Sequence, residues 1–176
     1  GNQTQSGTFN LIVTDTNQAP AITGLDTTSV NTYTENGPAI VVDGNVLLSD
    51  PEMDLFPAGW NSATLTIGRE GGANAEDVLG INPASSVTLS GGTVLVGGTV
   101  VGTFTNSGGA LSFVFNGSAT PARVDQVIQA ITYSNNSELP PASVTLAYSV
   151  NDQNVNDSGT PTTGNVGNGQ DQGSGG

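Results

Sequence analysis

The 176-residue sequence contains no cysteine and no histidine, and these absences exclude several kinds of chemistry. Without cysteine the chain cannot form a disulfide, and without either residue it cannot build a Ser-His-Asp triad, a cysteine nucleophile or a zinc site of the usual nitrogen and sulfur ligands. A secreted domain that has no disulfide needs another source of stability, and a bound metal ion is one such source.

Positive charge is also scarce. Arg69 and Arg123 are the only cationic side chains, against 15 acidic residues, so the formal net charge is −13. Nucleic acids and anionic membrane surfaces are bound through basic patches, so we expect no nucleic-acid partner and no membrane insertion. No apolar run approaches the roughly 18 residues of a membrane span. Divalent cations are the natural partners of such a surface.

Few residues are charged, and Gly, Thr, Ser and Asn dominate the polar set, which favours short strands and turns. Ala63, Leu65 and Ile67 alternate with threonines, as in a strand with one buried face. Glycine pairs separate several of the candidate strands, as in tight hairpins. We therefore predict an all-β sandwich, with further strands over residues 8–14, 21–23, 30–34, 38–42, 46–48, 87–89, 93–96, 100–104, 111–115 and 144–150.

One segment, residues 121–130, has the pattern of a short α-helix instead. Thr120 is placed to cap it, and Pro121 suits the first helical position. An apolar stripe follows at helical spacing, formed by Val124, Val127, Ile128 and Ile131. We expect this helix to lie across one end of the sandwich.

The chain divides into three parts: residues 1–18, a globular domain over 19–152, and a flexible Gly/Asn/Gln-rich tail or loop over 153–176. Both ends carry a Gly-Asn pair followed by spaced glutamines and glycine, which as a repeat gives a period of about 166 residues. Residues 1–18 would then be the closing strand and linker of a preceding repeat, and Thr8–Asp15 would pair within this sandwich or with a neighbouring molecule. Coincidence between two low-complexity tracts is the alternative.

Several segments together resemble the cadherin-like β-sandwich repeats of large bacterial (RTX, type I-secreted) adhesins and calcium-dependent surface proteins. They are the linker-like Val13–Pro20, Tyr33–Pro38 with its T-E-N core, the acidic Leu48–Asp54, the E-D-V-L segment Ala75–Gly80, and Ile131–Asn135 followed by Tyr148–Asp152. The full D-x-N-D-N-A-P linker and the D-x-D-x-G-x-N segment of cadherins are missing, so occupancy by three calcium ions is not expected.

The resemblance implies a cadherin-like or immunoglobulin-like β-sandwich that calcium stabilises, located at the bacterial cell surface or secreted. It implies a structural role as a spacer in cell adhesion or biofilm formation. The implied partners are neighbouring repeats of the same chain, with cell-surface polysaccharide or homophilic contacts as further possibilities. The alternative function is a module that itself binds exopolysaccharide or protein.

Asp50, Glu52 and Asp54 form the best candidate ligand cluster for calcium. In an extended loop their alternate spacing points them the same way, and carboxylates that close repel one another without a cation. Calcium takes six to eight oxygen ligands. The resemblance adds Asp15, Asn17 and Glu35, which completes a predicted Ca²⁺ site at the junction between repeats. A solvated acidic loop that binds nothing is the alternative.

Other acidic residues give weaker signals. Glu70, Glu76 and Asp77 flank a glycine turn and are expected to be solvated loop charges, with a second calcium loop as the alternative. Asp152, Asn154, Asn156 and Asp157 also alternate acid and amide oxygens, and a ligand or two from them at the opposite end of the domain is the less favoured alternative to solvated loop groups.

Catalysis is not expected. Paired carboxylates serve glycosidases, but that chemistry needs one acid in an apolar cleft, whereas the acids here lie in polar turns. Trp60 is expected to pack in the core or at its edge rather than to stack on a sugar.

Overall fold

The computed structural model describes residues 1, 3–12, 18–26, 31–55 and 57–153. It confirms an all-β, sandwich-like fold with one short α-helix. The strands are β1 (Ala21–Thr23), β2 (Ile40–Val41), β3 (Leu47–Ser49), β4 (Thr64–Arg69), β5 (Asp77–Ile81), β6 (Val87–Ser90), β7 (Thr93–Val96), β8 (Thr99–Ser107), β9 (Ala110–Phe115), β10 (Ile131–Asn135) and β11 (Leu146–Asn151). A 3₁₀ turn covers Met53–Leu55, and the helix α1 covers Pro121–Gln129.

Six antiparallel strands form the larger sheet, in the order β11-β4-β9-β8-β7-β6. The strands β6 to β9 are joined by consecutive hairpins, and each hairpin turn is a glycine pair in the left-handed region, as at Gly91 (φ 56°) and Gly92 (φ 81°). Two successive positive φ angles make the turn that matches strand twist, which is why glycine pairs occur there. The glycine pairs of the sequence therefore set the order of four of the six strands in this sheet.

A three-stranded sheet, in the order β2-β10-β5, and the separate pair β1-β3 complete the fold. Leu65, Ile67 and Phe113 of the large sheet and Leu79 and Ile131 of the three-stranded sheet are all buried in one continuous apolar cluster. The predicted inward alternation of Ala63, Leu65 and Ile67 is confirmed, since none of them is exposed.

The predicted helix is confirmed almost to the residue. Its apolar stripe is buried at Val124, Val127 and Ile128, although the side chain of Thr120 makes no capping hydrogen bond. The helix packs against β3, where the backbone N–H of Leu48 donates to Asp125 Oδ1 at 3.0 Å. No helix among the described residues has the length and apolarity to cross a bilayer.

Several strand predictions are wrong or shortened. Residues 31–34 form no strand, and 38–42 shrinks to the two residues of β2. Residues 8–12 of the predicted N-terminal strand are not in a strand either, whereas 13 and 14 lie outside the described residues. Strand β5 was missed because its acidic start has the composition of a loop. All but the first residue of the predicted tail lie outside the described residues.

Gly102 gives a test of the sheet packing. A Cβ at this position would lie 2.2 Å from the carbonyl oxygen of Val114 on β9, whereas a Cβ at Gly68, in the same sheet, would lie 3.6 Å from Ala110 Cβ. We predict that Gly102→Ala lowers the free energy of unfolding by about 1–3 kcal/mol, because the neighbouring strand must shift. Gly68→Ala is the control and should be neutral or slightly stabilising in urea denaturation. Equal losses in the two variants would contradict the described register.

Candidate functional site

The acidic segment that follows β3 is a tight turn, so the prediction of an extended loop is wrong. The backbone N–H of Asp54 donates to the carbonyl of Asp50 at 3.0 Å, and Leu55 N–H donates to Glu52 O at 3.3 Å. Asp50 Oδ1 accepts from the backbone N–H groups of Glu52 (3.0 Å) and Met53 (2.8 Å). Asp50 therefore caps the 3₁₀ turn, as an aspartate does at a helix start.

The carboxylate of Asp50 is only half satisfied. The residue has no exposed surface, and its Oδ2 has no hydrogen-bond partner among the described residues. Burial raises the pKa of Asp50, the two backbone N–H groups partly oppose this, and the charges of Glu52 and Asp152 raise it further. A buried carboxylate with one idle oxygen and acidic neighbours is an unfavourable arrangement for the chain alone.

Asp43 shows how this chain buries a carboxylate without such a deficit. Its Oδ2 accepts from Asp26 N–H at 3.0 Å and its Oδ1 from Asn45 N–H at 3.1 Å, so both oxygens are used. Asp43 is nearly as buried as Asp50. A carboxylate oxygen without a hydrogen-bond partner is therefore particular to Asp50 and is not a general feature of the buried acids described in this fold.

Asp152 lies at the same end of the domain as Asp50, so the alternative that placed it at the opposite end is wrong. It directly follows Asn151, which pairs with Thr64 at the start of β4, and its charge acts on Asp50. The linker reaches this end too, because Gln18 N–H donates to Glu52 Oε2 at 3.4 Å. The predicted ligands Asp15 and Asn17, like Asn154, Asn156 and Asp157, lie outside the described residues.

Asp54 has other partners in the same turn. Its Oδ2 accepts from Asp50 N–H at 3.1 Å, and its Oδ1 accepts from Trp60 Nε1 at 2.8 Å. Trp60 is fully buried, which confirms its predicted place in the core. Asp54 thus holds the turn against the tryptophan, and its charge contributes, after burial, to the raised pKa of Asp125.

Glu35 lies near the other end of the sandwich. Two residues before it, Tyr33 donates from its hydroxyl to the carbonyl of Asn135 at 3.2 Å, and its ring meets Tyr133 edge-on. Asn135 in turn contacts Asp77, which binds Arg69 at the end of β4 remote from Thr64. The structure thus divides those predicted ligands that it describes between two ends. Among the described residues no three acidic side chains converge into a metal-binding group.

The cluster around Asp77 was missed, and the expectation of a solvated loop charge is wrong there. Arg69 donates from Nε to Asp77 Oδ2 (2.8 Å) and from Nη2 to Oδ1 (2.6 Å). Oδ1 also accepts from the Tyr133 hydroxyl at 2.7 Å and from Asn135 Nδ2 at 2.9 Å. Burial alone would raise the pKa of Asp77, but these hydrogen bonds outweigh it and the pKa is lowered. A signal for this cluster was available in the sequence. Arg69 is one of only two arginines, and it stands eight residues before Asp77, which begins an apolar run.

A shallow cleft of about 340 Å³ lies between α1 and β2. Amide and hydroxyl side chains line it, with no carboxylate and no aromatic ring. Several of these groups bind within the fold, since Ser86 Oγ donates to Gln126 Oε1 and Gln129 Nε2 donates to the Val46 carbonyl. The cleft therefore has neither the stacking surface of a typical sugar site nor a pair of catalytic acids.

The chain matches none of the protein-family models, curated proteins or solved structures with which it was compared.

The Arg69–Asp77 pair predicts unequal roles for the two arginines. Arg69→Ala leaves the Asp77 carboxylate buried without its cation and should lower the free energy of unfolding by clearly more than the control variant below does. Arg123 donates only to the carbonyl of Ser118 among the described residues, at 2.8 Å, so Arg123→Ala is the charge-matched control and should cost about 1 kcal/mol. Chemical denaturation measures both losses. Similar losses would show that the Asp77 cluster has no special structural role.

The same cluster predicts an acid-dependent loss of stability. Because the pKa of Asp77 is lowered from its ordinary value of 3.8, its contribution is fully present above that value and is lost as the pH falls through the folded-state pKa. We expect Asp77→Asn to flatten this low-pH part of the curve of unfolding free energy against pH. Parallel curves for the wild type and the variant below pH 3.8 would contradict the assignment.

Proposed function

We propose that the chain is a structural, calcium-stabilised repeat module of a bacterial extracellular adhesin, which serves as a spacer in cell adhesion or biofilm formation. The all-β sandwich is the fold that the cadherin-like resemblance implies, and a chain without cysteine has no disulfide to stiffen it. The proposal depends on whether the acidic turn after β3 recruits a cation.

The observation that carries the proposal is the idle, buried oxygen of Asp50. Desolvating a charged carboxylate is costly unless a cation or hydrogen-bond donors compensate for it. Neither arginine is directed to it in the structure, since Arg69 binds Asp77 and Arg123 donates to Ser118. No cationic side chain of the chain compensates it, so a compensating cation would come from solution, and oxygen ligands of this kind suit calcium.

Asp50, Glu52 and Asp152 are the residues that would hold the ion. Their side chains do not converge in the described structure, so they would have to turn toward the ion when it binds. The charges of Glu52 and Asp152 act on Asp50, so an ion at this point would relieve the repulsion among all three. Three carboxylates do not complete a shell of six to eight oxygens, so the ion would have to draw further groups to it. Backbone carbonyls and the linker, which meets Glu52 through Gln18, are the nearest sources, and Asp15 and Asn17 remain predicted ligands.

Such an ion would have a mechanical consequence. The linker leads into β1, which pairs with β3 directly before the acidic turn. An ion shared by the turn, the linker and the residue after β11 would join three separate parts of the chain. It would restrict bending where the linker enters the sandwich, which is the property that a spacer needs. Nothing in the described structure draws Glu35 to this site, so the proposed site omits it.

Calcium should therefore stabilise the fold through Asp50. We expect the melting temperature of the wild type to rise on adding calcium to chelator-treated protein, and to fall again with EDTA. Asp50→Asn should abolish this response yet leave the calcium-free protein at least as stable as the wild type, because the amide oxygen still accepts the two turn N–H bonds without a buried charge.

Glu138→Gln is the matched control, since it removes the same charge from an exposed position. It should melt and respond to calcium as the wild type does. A wild-type melting temperature that is the same in calcium and in EDTA would defeat the calcium part of the proposal. An Asp50→Asn variant that keeps the full response would move the site elsewhere.

A further inference from the structure

The segment Thr8–Ile12, called here the N-terminal apolar segment, is uncovered. Phe9, Leu11 and Ile12 are 88%, 74% and 86% exposed. The segment forms no strand, and its backbone makes no hydrogen bond with the rest of the described chain. Three large apolar side chains exposed within five residues are unusual for a surface that stays in water, and such surfaces mark association sites.

One edge of the large sheet has backbone groups that no described strand pairs with. Strand β11 pairs only with β4, so its other side has no neighbour among the described strands. Glu70 N–H donates to the carbonyl of Thr145, and because hydrogen-bonded pairs alternate along antiparallel strands, residues 147, 149 and 151 also face β4. The backbone N–H and C=O groups of Leu146, Tyr148 and Val150 are therefore directed to the open side.

The other described sheet edges offer less. Strand β2 has two residues and β6 has four, whereas β11 has six. The edge of β5 is occupied at Leu79, whose carbonyl accepts from Asn106 Nδ2 at 2.7 Å. Strand β11 also contains no proline and no charged residue, the features that usually protect an edge from pairing. It is the longest unprotected edge in the described part of the chain.

The N-terminal apolar segment and strand β11 have the same alternation of apolar and polar side chains. Leu146, Tyr148 and Val150 are half-buried and pack against the core, whereas the residues between them face solvent. In an extended segment Phe9 and Leu11 share one face, so they would continue this inner row, with Asn10 on the outer face. Both partners are uncharged, which matters because two copies that each carry −13 repel one another elsewhere.

We propose that the N-terminal apolar segment of one copy adds as a further strand to the open edge of β11 in a second copy of this chain. This is strand addition, in which main-chain hydrogen bonds supply the affinity and alternate side chains set the register. It covers Phe9 and Leu11 and pairs the outward backbone groups of β11 in one contact. The contact uses no acidic residue, so it does not require an ion at the proposed calcium site.

Sedimentation velocity in EDTA and moderate salt tests the proposal. The wild type should pass from single chains to assemblies of two or more as its concentration is raised, because each contact leaves one segment and one edge free. Phe9→Asp/Leu11→Asp should remain monomeric over the same range, whereas Gln3→Asp/Gln5→Asp, which adds the same charge at exposed positions outside the segment, should still associate. A wild type that is monomeric throughout, or a control that loses association equally, would overturn the proposal.

Cross-linking locates the contact, because the chain has no cysteine of its own. Mixed Asn10→Cys and Ser149→Cys chains should form a heterodimeric disulfide under mild oxidation. Asn10→Cys with Thr88→Cys, on the exposed face of the opposite edge strand β6, should form far less. Equal yields would overturn the assignment to β11.

The melting temperature separates pairing between copies from pairing within one. Dilute Phe9→Asp/Leu11→Asp should melt as the dilute wild type does, since the substituted residues lie outside the fold of their own copy. A clear fall in the melting temperature would mean that the segment pairs within its own sandwich, and it would contradict the proposal.

Discussion

The fold buries acidic side chains although it has only two cationic side chains with which to compensate them. Three aspartates of the described residues are nearly or fully buried, and their carboxylates have different partners. Asp77 binds Arg69, and Asp43 accepts a backbone N–H on each oxygen. Asp50 has two N–H donors on one oxygen and none on the other. The local arrangement of the turn after β3 depends on how that last carboxylate is neutralised, because its first oxygen forms the turn and its second faces no donor.

The buried aspartates also divide the molecule into two chemically different ends. The end near Arg69 and Asp77 is held by an ion pair, a tyrosine hydroxyl and an amide, all supplied by the chain itself. The end near Asp50 collects negative charge from Glu52 and Asp152 and meets the linker through Gln18. One end that the chain compensates by itself and one end where a buried carboxylate oxygen has no donor are what the proposed calcium-stiffened module would have. The open edge of β11 lies between them and offers contact to a second copy of the chain.

Local patterns predicted much of this fold. The glycine pairs predicted the hairpins of β6 to β9, and helical spacing with Pro121 predicted α1, because both signals come from neighbouring residues. Tertiary contacts decided the rest. Residues 31–34 have strand composition, yet Tyr33 packs on Tyr133 instead of pairing. Asp77 is a residue type common in turns, yet it starts a strand because Arg69, Tyr133 and Asn135 surround its carboxylate.

The acidic composition of the segment after β3 predicted the candidate site, but not its geometry. The alternate spacing suggested three aligned carboxylates, whereas the 3₁₀ turn directs Asp54 to Trp60.

The central claim is that a calcium ion binds the carboxylate oxygen of Asp50 that has no hydrogen-bond donor. The fluorescence of the single tryptophan, Trp60, allows the most direct test of this claim. Trp60 is buried beside the acidic turn and donates to Asp54, so a terbium ion bound at Asp50 would lie near it and receive energy from it. Excitation of Trp60 should produce terbium luminescence that saturates with terbium, is displaced by calcium and is absent in Asp50→Asn. Wild-type protein that gives no sensitised luminescence, or luminescence unchanged by Asp50→Asn, would contradict the account.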